Sequence, residues 1–271
     1  MPELPEVETT RRGIAPGITG RHVLAVDVRQ WALRWPITAE LPTRVTGQAI
    51  QGIDRRGKYL LIRFESGTML VHLGMSGSLR LVSAAEPARL HDHVIWQLDN
   101  GLSLRLHDPR RFGSVLWTEE PVEQHPLLRA LGPEPLSAAF SAAYLKHLTA
   151  HRRAAIKTTL MDARVVVGVG NIYASEALFL AGIHPARASG RIALSRHEQL
   201  VIAVRQVLEE AIAAGGTTLR DFVGGDGRPG YFAQQLRVYG RASLPCRSCA
   251  APIRHLRQGQ RSSYFCARCQ K

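Results

Sequence analysis

"HVIWQLDNGLSLRLHD" spans His93–Asp108, and its reading decides what the first half of the chain folds into. Two runs of alternating apolar and polar residues flank Asp99-Asn100-Gly101, whose glycine can take positive φ, so the stretch predicts an antiparallel hairpin. Similar short runs, broken by turn residues, lie upstream: "HVLAVDVR" (22–29), "KYLLIRFE" (58–65), "TMLVHLGM" (68–75) and "SLRLV" (78–82). Strand patterns at this spacing, continuing to about Thr118, predict a β-sandwich or barrel.

Ahead of the strands, "PEVETTRRGI" (Pro5–Ile14) reads as a leading helix. Pro5, Glu6 and Glu8 suit its first turn, and Arg11, Arg12 and Gly13 suit its end. Beyond the strands, residues 121–136 hold four prolines and read as a linker. The period then becomes helical. "AIKTTLMD" (155–162) and "NIYASEALFLAGI" (171–183) predict two helices joined by "ARVVVGVG" (163–170). "SRHEQLVIAVRQVLEEAIAAGG" (195–216) opens on a capping box, Ser195 and Glu198, and stops at Gly215. Its stripe of Leu200, Val204, Val207, Leu208 and Ala211 is core. The expectation is an α+β chain with domains at 1–120 and 137–235, a linker at 121–136, and an appendage at 236–271.

The 271 residues carry 35 Lys and Arg against 22 Asp and Glu, a formal net charge of +13. Such an excess suits a polyanion, nucleic acid before anionic membrane. It is also uneven: Gly227–Lys271 contains no acid and nine Lys or Arg. The first ten residues hold three glutamates and no apolar run of a secretory signal, and no stretch has the ~18 apolar residues of a membrane span. A soluble, cytoplasmic protein with no membrane partner is expected.

All four cysteines fall in the tail as Cys246-x-x-Cys249 and Cys266-x-x-Cys269. Two such knuckles present four thiolates, a closed tetrahedral site for one structural zinc with no open position for catalysis. Zinc would fold a segment with too little apolar surface to fold alone. Arg254, Arg257 and Arg261 would then lie on a hairpin between the knuckles.

Other signals are weaker alone. "GVGNIY" (168–173) sets Asn171 at a helix start, either a phosphate site or an ordinary Asn N-cap after a tight turn. Lys58 beside Arg55 and Arg56 reads as the start of a strand with a basic edge. "HLGMSG" and "HDPRRFG" put His72, Met75, Arg110 and Phe112 in or near turns, as core satellites or as wedges flanked by arginine. His91 and His93 could be a metal pair, but a structural or phosphate-contact role fits better.

Together, "MPELPEVET", "KYLL", "HLGMSGSLR", "HDHV", "DPRRFG", "LGPEPL", "VVGVGNIYASEALFLAGIHP", "GGTTLRDF", "PGYFAQ", "VYGR" and the cysteine pairs resemble the bacterial formamidopyrimidine-DNA glycosylases, collinearly from residue 2 to 271. The resemblance implies an N-terminal β-sandwich with a leading helix, a helix-two-turn-helix domain, and a zinc-bound β-hairpin finger. It implies a monomer acting on damaged double-stranded DNA, and so on the nucleoid, removing oxidised purines and cleaving the strand. Pro2, exposed by loss of Met1, would be the nucleophile, with Glu3 as acid, Lys58 at β-elimination and Arg261 at δ-elimination. Lys58, His72, Asn171 and Arg261 would grip phosphates, and His91, Arg110 and Arg153 would touch the backbone, with Arg152 and Lys157 in "AHRRAAIK" as alternatives to Arg153. Met75, Arg110 and Phe112 would fill the gap left by the flipped nucleotide. Glu6 matches a second acidic position at the lesion pocket, and 217–234 matches a lesion-capping loop. Two alternatives stand beside this reading: an endonuclease VIII-like enzyme preferring oxidised pyrimidines, which Leu4 and the 217–234 stretch disfavour, and a non-catalytic zinc-hairpin DNA-binding protein.

Overall fold

A computed structural model describes residues 2–217 and 232–271, so Met1 and most of the expected capping loop lie outside the described residues. The chain divides into two units. One runs to Arg129 and takes up the chain again at Ala214; the other is Ala130–Ala213 with Phe232–Lys271.

The first unit starts with α1 (Leu4–Ile18) and continues through β1 (Val23–Val28) and a short α2 (Leu41–Val45). Then come β2 (Gly52–Arg56), β3 (Tyr59–Arg63), β4 (Thr68–His72), β5 (Ser78–Ser83), β6 (Asp92–Leu98), β7 (Leu102–His107) and β8 (Ser114–Thr118). The strands form two four-stranded antiparallel sheets, β1-β6-β7-β5 and β2-β3-β4-β8. Trp96, Leu104 and Leu106 from one sheet meet Leu60, Ile62 and Val71 from the other in a single core, which α1 completes with Val7, Ile14 and Ile18. This is the expected β-sandwich. The β6–β7 hairpin turns at 99–101, with Gly101 at φ 76°.

Two local expectations need correction. The leading helix does not stop at Gly13 but runs to Ile18 with Pro16 inside it. Arg11 and Arg12 both reach back to Glu8, and Ile14 and Ile18 extend the buried stripe. Lys58 does not begin a strand. It sits with Gly57 in the two-residue turn between β2 and β3, and Gly57 at φ 58° supplies the left-handed first position.

The second unit contains α3 (Ala142–Thr149), α4 (Ile156–Leu160), α5 (Asn171–Leu180) and α6 (Leu194–Ala213), then β9 (Arg254–Gln258) and β10 (Arg261–Phe265), an antiparallel pair. From Ile172 to Phe179, α5 is buried on all sides. The predicted stripe of α6 is buried, but the helix begins at Leu194 rather than on a Ser195 cap: Arg196 and His197 both bond back to the Ala193 carbonyl. No helix among the described residues is long and apolar enough to cross a membrane.

Candidate active site and nucleic-acid surfaces

At the head of α1, Pro2 and Glu3 are buried, Glu3 at 2% exposure. Glu3 and Glu6 form a capping box: Glu6 Oε2 accepts the Glu3 backbone N–H at 2.9 Å, and the Glu3 side chain accepts the Glu6 backbone N–H in return. The other Glu6 oxygen accepts both the backbone N–H and the hydroxyl of Thr217, at 2.8 and 2.7 Å. Glu6 is therefore more than helix-start electrostatics: it ties the terminus to the residue from which the 217–234 stretch departs. Gly216 at φ 83° lets the chain pass there, since a Cβ would lie 3.2 Å from Glu6 Oε1.

Lys58 is fixed by a chain of contacts from the same helix. Arg55 donates to Glu8 Oε2 at 3.1 Å and to the Gly57 carbonyl at 3.0 Å. Burial works to raise the Glu8 carboxyl, but hydrogen bonds from Arg11 and Arg12, the charge of Arg11 and Arg55 hold it at about 2. Glu8 thus stays anionic and anchors the Lys58 turn. Across the strand pair, His72 faces Tyr59, ring centroids 4.8 Å apart. Burial, then the charges of Lys58 and Arg34, push His72 down to about 4. Its Nδ1 accepts the Gly74 N–H at 3.0 Å, so the neutral ring carries its proton on Nε2.

Met75 and Phe112 are each 41% exposed, and the Arg110 guanidinium lies 4.9 Å from the Phe112 ring centroid. Neither apolar side chain is a core satellite. Asp108, fully buried, accepts the Gly113 N–H at 2.7 Å and faces the Ser76 hydroxyl at 3.4 Å, joining the two turns. Gly74 at φ 66° permits the close approach, because a Cβ would be 2.4 Å from the Phe112 carbonyl carbon. His91 packs 5.9 Å from both His93 and His107. His93 bonds through Nε2 to the Asp108 carbonyl at 2.9 Å, which commits that ring to a structural contact, while His91 is half-buried beside it.

In the second unit, Asn171 is the first residue of α5 and Gly170 is its cap, so the N-cap alternative fails. Lys157, 1% exposed, donates to Asn171 Oδ1 at 2.6 Å, to the Ser262 carbonyl at 2.9 Å and to Ser263 Oγ at 2.7 Å. An ammonium only donates, so the Asn171 amide nitrogen must point away from it; that nitrogen meets the Tyr239 hydroxyl at 3.3 Å. Lys157 thereby joins Asn171 to the strand that begins at Arg261. Glu176, fully buried, accepts the backbone N–H groups of Arg237, Val238 and Tyr239 at 2.8, 2.9 and 2.8 Å. Sequence reading missed Glu176, and offered Lys157 only as an alternative to Arg153 at the DNA backbone, not as a buried brace. A lysine and a glutamate on apolar helices were the available signal. Arg153 is exposed, with Arg152 beside it.

The four cysteine sulfurs lie within 4.8 Å of one another, with Cys246–Cys269 at 3.9 Å and Cys249–Cys266 at 3.5 Å. A tetrahedron with zinc–sulfur bonds of about 2.3 Å has edges of about 3.8 Å, so the tetrad fits one structural zinc. It is the one cluster of three or more such ligands among the described residues.

The architecture is a β-sandwich with a leading helix, and a helical unit that carries a four-cysteine hairpin. The sequence matches the formamidopyrimidine-DNA glycosylase N-terminal domain over residues 1–115, the H2TH domain of the same enzymes over 131–223, and the zinc finger found in FPG and IleRS over 243–271. It is 58% identical to the formamidopyrimidine-DNA glycosylase of Methylococcus capsulatus, with both chains fully covered. The crystal structure of the MutM (Fpg) protein from Thermus thermophilus is similar at a TM-score of 0.88 and 39% identity, covering 99% of this chain and 98% of that one. Lactococcus lactis Fpg in complex with N7-benzyl-Fapy-dG DNA matches at 0.92 and 32%, with both chains fully covered. The chain belongs to the formamidopyrimidine-DNA glycosylase family.

Proposed function

We propose that the protein removes oxidised purines, 8-oxoguanine and formamidopyrimidines, from double-stranded DNA in base excision repair, and then cleaves the strand. The observation that carries this is the buried pair at the amino terminus, Pro2 and Glu3, braced by Glu6. Glu3 also caps α1 in a box with Glu6, but capping needs no proline beside it, and loss of Met1 would make that proline a secondary amine.

Removal of Met1 frees the Pro2 nitrogen, and an α-amino group titrates near ~8, so a useful fraction is unprotonated at neutral pH. Its lone pair attacks C1′, the base departs, and Glu3 supplies the proton that opens the sugar ring or leaves with the base. A secondary amine can then form only a cationic iminium. That electron sink acidifies the C2′ proton, and its loss expels the 3′ phosphate, with Lys58 at this step. Loss of a second sugar proton expels the 5′ phosphate, with Arg261 at that step. Neutral His72, with its proton on Nε2, is suited to donate to a phosphate, as are the Asn171 amide and Lys58. Met75, Arg110 and Phe112 offset part of the few kcal/mol that base flipping costs. His91 and Arg153 would add contacts to the DNA backbone, and Glu6 would border the lesion. The enzyme would work on the bacterial nucleoid as a monomer, with the zinc holding the finger that carries Arg261.

Borohydride reduction during turnover should trap a covalent adduct at residue 2 on DNA bearing 8-oxoguanine or an abasic site, and Pro2→Gly should weaken trapping. No adduct on either substrate would sink the proposal. Faster excision of thymine glycol than of 8-oxoguanine opposite cytosine would redirect it to pyrimidine lesions.

A further inference from the structure

A cleft of about 460 Å³ opens in the helical unit, away from Asn171 and the finger in sequence, where the end of α3 meets two segments, residues 152–155 and a bridge at Ala188 that runs into a 3-10 turn at Ser189–Arg191. The segments are zipped together: Ala155 bridges Ala188 in antiparallel fashion, Ser189 donates to the Ala154 carbonyl at 2.9 Å, and Gly190 donates to the Arg152 carbonyl at 3.0 Å. Gly190 is required, because a Cβ there would stand 2.9 Å from the Arg152 backbone nitrogen. His151, at φ 62°, turns the chain from α3 into the zip. The outcome is that Arg152 and Arg153 from one segment share a cleft with Arg191 from the other. Lys146 lies alongside, its ammonium bonded to the Ile192 carbonyl at 3.0 Å.

No carboxylate lines this cleft, and the three arginines are exposed. Gathering cations without a counter-charge raises the energy of the bare protein, and an oxyanion relieves it. The apolar lining is limited to Ala150 and Ala188, and its one ring is the imidazole of the exposed His151. Lys146, Arg152, Arg153 and Arg191 make it a site for oxyanions before anything else.

We propose that Arg152 and Arg191 complete, around Arg153, a clamp for consecutive backbone phosphates of DNA, independent of the lesion. This rests on the DNA-repair reading above but extends it to a site defined by Arg191, thirty-eight residues from Arg153 in the chain. The clamp supplies sequence-independent affinity and register, and no step of the chemistry.

Fluorescence anisotropy with a short undamaged duplex, titrated from about 50 to 200 mM salt, reads the clamp directly. Arg152→Ala and Arg191→Ala should each lower the slope of log K against log salt by about 0.9 and weaken binding to lesion-bearing and undamaged DNA by the same factor. Arg191→Lys should retain most of the slope, and Arg164→Ala, an exposed arginine paired with Asp162 in the same unit, should leave it unchanged. Melting curves of each variant confirm folding. An unchanged slope in both alanine variants overturns the proposal. So does stabilisation of the wild type by inorganic triphosphate that both variants lose while keeping the full slope, since the cleft would then serve free phosphates. Failure of the catalytic reading is separate: it appears as no borohydride adduct with the wild type, whatever the slopes.

Discussion

The sandwich and the finger solve the same problem, holding a few polar groups still, by different means. In the sandwich, two sheets and α1 share one continuous apolar core, and the functional turns hang from its edges on carboxylates such as Glu8 and Asp108. The finger has only a small cluster, in which Phe179, Val238 and Ile253 pack with Cys246 and Cys266. It depends on specific polar anchors: four thiolates, Glu176 and Lys157. Where apolar area is ample, polar groups are passengers that can be placed for function; where it is scarce, they become the structure.

The strongest way to break that contrast is at the metal. Cys266→Ser, or chelation of the wild type, should remove the zinc and abolish lesion cleavage, while the sandwich keeps its β-sheet circular dichroism. Loss of both together would mean that the sandwich is not self-sufficient. Next, Trp96→Ala empties a fully buried position between the sheets and should cost about 3–5 kcal/mol in chemical denaturation. Glu176→Gln is nearly isosteric, yet it sets an amide donor against backbone donors and should cost on the order of 2–4 kcal/mol. Hydrogen exchange should show the loss confined to the helical unit and finger, with a metal content still near one zinc.

Acid should act on the helical unit through His197, fully buried with Nε2 against Thr149 Oγ1 at 3.3 Å. Burial, then the charge of Lys146, lowers it to about 4 from an ordinary 6.5. The folded state therefore favours the neutral ring: its contribution is complete above pH 6.5 and is lost as pH falls from 6.5 through 4, up to roughly 3 kcal/mol. Melting temperature against pH should flatten over that window in His197→Leu. The smallest effect is expected at Arg12, 61% exposed and paired with Glu8. Arg12→Ala should cost less than about 0.5 kcal/mol, because Arg11 and Arg55 still hold Glu8.

Features written in nearby residues were legible. The β6–β7 hairpin follows from alternation around Asn100-Gly101, the α6 core from its period, and the zinc tetrad from two Cys-x-x-Cys knuckles. The limits of α1 were not, because Gly13 and Pro16 are ordinary stop signals and the interactions that override them include the packing of Ile14 and Ile18 against the sheets. Lys58 was found, but its place in a turn rather than a strand depends on β2, a run too short and too charged to declare itself. Asn171 was found as a helix start, yet its amide is oriented by a lysine whose other partners lie more than a hundred residues away.

The sequence by itself determined the inventory: a terminus with Pro2 and Glu3, four thiolates, a basic tail, and strand and helix periods in that order. These are local or compositional, and local geometry is set by residues close in the chain. Tertiary structure alone decided which polar groups are buried and what they face: Glu6 against Thr217, Lys157 against the finger strand, and Glu176 against three backbone donors. Those pairings join residues tens to hundreds of positions apart. The cost of burying an unpaired charge selects them only once the core has closed.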